Sequence, residues 1–140
     1  MRQILLFAAL AASLALLAGC TLSKTKADTA EDAPDKAAYH KLSAEEAYEM
    51  MASQEVVVVD VRTREEYDGG HIENAVLVPN ESIDSEMPEA LPDKEATLLV
   101  YCRSGRRSKD AAQKLLALGY QSVYDFGGVI DWPYELVKEG

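Results

Sequence analysis

Thr97-Leu98-Leu99-Val100-Tyr101, then Cys102-Arg103-Ser104-Gly105-Arg106-Arg107-Ser108, then a helical pattern closed by Gly119: this stretch decides the fold. Its first five residues run from Thr97 into four apolar ones without alternation, which suits a strand covered on both faces. From Ser108 to Leu118 the apolar positions Ala111, Ala112, Leu115, Leu116 and Leu118 predict a helix, with Gly119 as its C-terminal cap. Strand, loop and helix in that order are the repeating step of a parallel sheet.

Working outward, Val56-Val57-Val58-Val59 has the same character and predicts a second central strand. Ala75 to Val78, stopped by Pro79, and Ser122 to Tyr124 are two further strand candidates. Ser43-Ala44-Glu45-Glu46 has the form of a capping box, with Ala47, Met50 and Met51 at helical spacing, so a short helix is expected over about 44–53. Residues 80–93 hold Pro88, Pro92 and the acids Glu81, Asp84, Glu86, Glu89 and Asp93, which allow only a short exposed helix. The tail from Gly127 to Gly140 reads as helical, interrupted by Pro133. The fold class is α/β, a mainly parallel sheet with helices on both faces.

The N-terminus begins Met1-Arg2-Gln3 and continues from Ile4 to Ala18 with Ser13 as the one polar residue. A charge followed by an apolar run too short for a comfortable membrane span predicts an export signal over 1–19. Leu17-Ala18-Gly19-Cys20 resembles the lipobox of bacterial lipoproteins, which implies cleavage before Cys20 and its lipidation. The expected location is therefore extracytoplasmic, periplasm or cell surface, held to a membrane by N-terminal lipid. Residues 20–38 have no aromatic and only Leu22 as a large aliphatic, so they predict a flexible tether reaching roughly 25 Å. The folded domain is expected over 39–140.

The 140 residues carry 24 acids against 14 basic residues, a net charge of −10. Such a chain is a poor partner for nucleic-acid phosphates, and none is expected. Yet Arg103, Arg106, Arg107 and Lys109 cluster in the loop and the turn after it. At the carboxyl end of a central strand, where open α/β sheets bind ligands, this reversal of sign marks an anion site. Cys102 there meets a helix N-terminus, converging N–H groups and guanidinium ions, all favouring the thiolate. A structural cysteine finishing a strand needs neither the arginines nor Gly105. The remaining candidate ligands, Cys102, His40 and His71, show no metal-ligand spacing, so no metal is expected. With Cys20 lipidated, no second thiol exists to form a redox pair.

Asp60-Val61-Arg62, Glu66-Tyr67, Gly70-His71-Ile72-Glu73-Asn74-Ala75 with Pro79, the loop Cys102–Ser108, and Gly127-Gly128-Val129-Ile130-Asp131-Trp132 together resemble the signatures of the rhodanese family of sulfurtransferases, in order. Asn74 stands where the family usually has Gly, and Asn tolerates the left-handed conformation a glycine would imply. The resemblance implies that Cys102 takes the outer sulfur of thiosulfate, or another sulfane-sulfur donor, as a persulfide. It then passes that sulfur to cyanide or a thiol, with no cofactor. Cys102 would be the nucleophile, and the backbone of residues 103–107, including Ser104 and Gly105, would stabilise the persulfide anion. Arg103 and Arg106 would contact the donor. Arg107 would either join them or turn inward against an acid such as Asp60. Asp60, Arg62 and Glu66 read mainly as an internal ion-pair set, and His71 and Ser108 as structural support.

Two other functions fit the same fold. The catalytic loop of phosphatases and arsenate reductases resembles Cys-x5-Arg, but here the five residues 103–107 lead to Ser108 where that arginine would stand, with the arginine one position early at Arg107. A membrane-tethered persulfide carrier or sensor would have the same loop and bind a partner protein without turnover.

Overall fold

A computed structural model describes residues 38–139. The export segment with Cys20, and the tether up to residue 37, lie outside the described residues.

The described elements run β1 (His40–Lys41), α1 (Ala44–Ser53), β2 (Val57–Asp60), α2 (Arg64–Asp68), β3 (Val76–Leu77), β4 (Thr97–Cys102), α3 (Arg106–Ala117) and β5 (Ser122–Gly128). Single 3-10 turns occupy Asn80–Ser82 and Val129–Asp131. The five strands form one sheet in the order β1-β5-β4-β2-β3, and every pairing is parallel.

Strand geometry explains the unbroken apolar runs, because alternate residues serve opposite faces. Leu98, Val100 and Cys102 of β4 join Val59, Val123 and the α3 residues Ala111, Ala112 and Leu115 in one core. Leu99 and Tyr101 point the other way, with Val58, Phe126, Ala47 of α1 and Tyr67 of α2. The predicted α/β class with helices on both faces is the observed one. Each fully buried leucine stabilises it by about 2 kcal/mol.

Local signals set the element ends. Ser43 and Thr63 both close full capping boxes, with Glu46 and Glu66 respectively. The second box starts α2, a helix the sequence reading passed over because five residues carry no periodicity. At the end of α3, Gly119 at φ +94° lets its own N–H reach Leu116 O and the Tyr120 N–H reach Leu115 O, a Schellman cap. Asn74 does hold the left-handed conformation, at φ +62°.

Three expectations are corrected. The tail is not α-helical: β5 runs on to Gly128, one 3-10 turn follows, and Trp132 before Pro133 is extended (φ −78°, ψ 113°), as a residue preceding proline prefers. The chain then returns to pair Val137 with His71. The segment 80–93, expected to allow only a short exposed helix, forms one 3-10 turn at Asn80–Ser82 and also buries Ile83 and Leu91 in the α3-side core. The α3 helix begins at Arg106, two residues before the apolar pattern shows it.

Candidate active site

Cys102 is the last residue of β4, and α3 starts only four residues later. Gly105 makes that turn possible, standing as N-cap at φ +99°, a conformation costly for a side-chain residue. Its N–H points back and donates to Cys102 Sγ at 3.0 Å. β5 seats the loop from below. A Cβ on Gly128 would overlap Arg103 O and Ser104 Cα, so only glycine lets the strand lie this close. The Ile130 N–H then donates to Arg103 O at 3.2 Å.

The sulfur is buried, with Cys102 only 1% exposed. Burial pushes the thiol pKa up, but the Ser108 N–H and hydroxyl and the Gly105 and Ser104 N–H groups outweigh it and hold the pKa below its ordinary value. The site is therefore a recessed sulfur ringed by donors that favour its thiolate form, at the N-terminus of a twelve-residue helix. A terminal sulfur on a donor, projecting about 2 Å beyond the atom that carries it, can reach such a floor more readily than a tetrahedral centre.

Arg103 and Arg106 are exposed and form no ion pair among the described residues. Arg103 lines a concavity of about 340 Å³ with Arg62, Glu66 and Ile130. Arg106 and Arg107 line another of about 450 Å³ with Asn80, Glu81 and Asp110. A larger concavity of about 660 Å³, walled by Tyr48, Met51, Trp132 and Tyr134, shares no residue with the loop.

Arg107 turns inward, but not to Asp60. Its two terminal nitrogens donate to the two Glu66 oxygens, both at 2.8 Å, tying α3 to α2. Asp60 is instead committed to Arg62, whose Nε and Nη2 grip it at 2.9 and 2.6 Å, and to the Tyr101 hydroxyl at 2.6 Å. The expected single ion-pair set is thus two separate pairs, because α2 carries Glu66 away from the end of β2. His71 is 5% exposed, stacks on Tyr67 at 3.6 Å, and bonds through Nδ1 to Tyr67 O at 2.9 Å. Ser108 is fully buried in the first turn of α3, its hydroxyl 2.7 Å from Asp125 Oδ1.

Asp125 is the residue the sequence reading missed. It is fully buried, yet its oxygens accept from Ser108, the Gly127 N–H, the Tyr39 hydroxyl and Lys41 Nζ. The available signal was an acid inside an otherwise apolar strand, Val123-Tyr124-Asp125-Phe126.

The class that fold and site define is a parallel α/β domain with a buried cysteine at a central strand's carboxyl end, its sulfur facing N–H groups at a helix N-terminus, with two exposed arginines close by in sequence. Residues 43–133 match the rhodanese-like domain family, and the chain belongs to it. Among solved structures it is similar to a human single-domain sulfurtransferase, TSTD1, at 27% identity and TM-score 0.60, covering 66% of this chain and 93% of that one. It is also similar to a rhodanese with anions from E. coli, at 35% identity and TM-score 0.54, covering 59% of this chain and 98% of that one. A tRNA uridine(34) hydroxylase of Yersinia pestis is 32% identical over 106 residues, 72% of this chain. The chain spans 30% of that relative's length.

Proposed function

We propose that this protein is a thiosulfate-type sulfurtransferase working through a Cys102 persulfide. The observation that carries the reading is the sulfur itself: buried, accepting from the Gly105 N–H at 3.0 Å, its pKa lowered by the surrounding donors, with the exposed Arg103 and Arg106 a few residues away. In the first step the Cys102 thiolate attacks the outer sulfur of thiosulfate; a Cys–S–S bond forms, the S–S bond of thiosulfate breaks, and sulfite leaves with its electron pair. In the second, cyanide or a thiolate attacks the outer persulfide sulfur, and Cys102 leaves as the thiolate. Charge balances in both steps, and no proton, metal or external oxidant is consumed.

The cradle suits this chemistry because the negative charge stays on sulfur throughout. N–H groups aimed at that charge need no reorganisation between thiolate and persulfide. Arg103 and Arg106 would draw in the dianionic donor, and Arg107, held by Glu66, would keep the loop in register. The similarity to a rhodanese structure containing anions supports an anion site here. The relatives named for hydroxylation of tRNA share only this domain, and the net charge of −10 does not favour contact with an RNA backbone. The place of action would be extracytoplasmic, with Cys20 lipidated as the membrane anchor. Incubation of the purified protein with thiosulfate and cyanide tests the reading directly. Thiocyanate should form, and Cys102→Ser should form none.

A further inference from the structure

Away from the Cys102 loop, a concavity of about 660 Å³ opens between α1, the turn after His71 and the C-terminal tail. That volume lies within the span of small-ligand sites, on the order of 300–1,000 Å³. One wall is aromatic. Tyr134 stacks on Tyr48 of α1 with ring centroids 3.9 Å apart, and Trp132 meets Tyr134 edge-on at 4.9 Å. Yet Tyr48 is 45% exposed and Tyr134 37%, so this ring surface is left open to solvent instead of completing the core. The wall is fixed at both ends: Trp132 packs on Phe126 of β5, and Val137 exchanges two backbone hydrogen bonds with His71, at 2.8 and 2.9 Å.

The charge beside the rings has one sign. Glu73 and Glu135 line the same concavity, and no lysine or arginine does. Among the described residues neither carboxylate forms an ion pair or a side-chain hydrogen bond. Ring quadrupoles attract cations, and two unneutralised carboxylates add to that attraction while turning anions away. A neutral apolar ligand would use the rings and leave the carboxylates idle. A metal ion would do the reverse, and no group of three His, Cys, Asp or Glu among the described residues could hold one.

We propose that this concavity is a second binding site, for a small organic cation with an alkylated ammonium head. The head lies against Tyr48, Trp132 and Tyr134, and its charge is balanced by Glu73 and Glu135. Alkylation matters because a bare ammonium holds its water too tightly to exchange it for ring surface, whereas methyl groups spread the charge and pack on the rings. The site is independent of sulfur transfer, since it shares no residue with the Cys102 loop.

Trp132 is the one tryptophan of the chain, so its emission reports on this wall. Titration of the full chain with choline chloride, against sodium chloride at equal ionic strength, should change that emission saturably, with a midpoint on the order of 1 mM. The uncharged analogue with a quaternary carbon in place of the nitrogen should bind at least about tenfold more weakly, although its shape is the same. Glu73→Gln combined with Glu135→Gln should weaken choline about tenfold, and Tyr48→Leu about three- to tenfold. All three positions are exposed, so these variants should fold. Phosphatidylcholine vesicles distinguish the source of the head: a response to vesicles and choline supports a lipid headgroup, a response to choline alone a free cation, and either upholds the site. An emission change no different from that with sodium chloride overturns the proposal. So does equal affinity for the uncharged analogue, or undiminished affinity in the double glutamine variant or in Tyr48→Leu. Cys102→Ser should bind choline as the parent does, so failure here and failure of sulfur transfer are read separately.

Discussion

Arg107 and its two loop neighbours show how three arginines within five residues divide the labour. Arg107 is bidentate to Glu66, and that hydrogen bonding, working against burial, holds the Glu66 carboxyl down to about 2 from 4.5. Both partners are partly exposed, so Arg107→Ala should cost about 1–2 kcal/mol, seen as a lowered Tm. The sign with pH follows from a depressed carboxyl: the pair's contribution is complete above about 4.5 and is lost as pH falls towards 2. The Tm gap between the parent protein and Glu66→Gln should therefore be constant at neutral pH and close in strong acid. Arg103 and Arg106 have no such partner, so Arg103→Ala and Arg106→Ala should leave Tm unchanged. Each should raise KM for thiosulfate about tenfold with a smaller loss of kcat. The sequence shows the three cations but not this division, because which of them finds an acid depends on α2, whose capping box the helical period does not reveal.

Among the elements, the close approach of β5 to the Cys102 loop is what fixes the cradle. Gly128→Ala would place a methyl group on Arg103 O and Ser104 Cα, and the loop would have to lift. Loss of thiocyanate formation by at least a hundredfold is expected, with the sheet intact by far-UV circular dichroism; activity within threefold of the parent would contradict this packing account. The central strands and α3 were legible because strands buried on both faces are written as unbroken Val and Leu runs, and because Gly119 marks a helix end. The extension of β5 and the course of the tail were not. Phe126-Gly127-Gly128 has no strand period, and its conformation is imposed by the register shift between Val100 and Cys102 against β4. Asp125 escaped for the same reason: burial of an acid is a property of the assembled sheet.

On the scale of the whole molecule, a chain of net charge −10 sets Arg103, Arg106, Arg107 and Lys109 within seven residues of one another beside Cys102, and under the proposed function these cations would steer small anions to the sulfur. The proposed lipid anchor would hold that loop at a membrane surface. Cys20→Ala should release the protein from membranes or leave it unprocessed, as read by fractionation and lipid labelling; an unsubstituted protein recovered wholly soluble and unlabelled would contradict anchoring. With Cys20 out of play, no thiol in the chain can attack an intermediate on Cys102, so that intermediate should outlast desalting. The decisive measurement is the intact mass of the Cys20→Ala protein after brief exposure to thiosulfate. One added sulfur atom, removed by cyanide with release of thiocyanate and never acquired by Cys102→Ser, is the predicted result. An adduct that small acceptors fail to discharge would indicate a persulfide carrier. No sulfur adduct on a folded, reduced sample under donor excess would contradict sulfur transfer through Cys102.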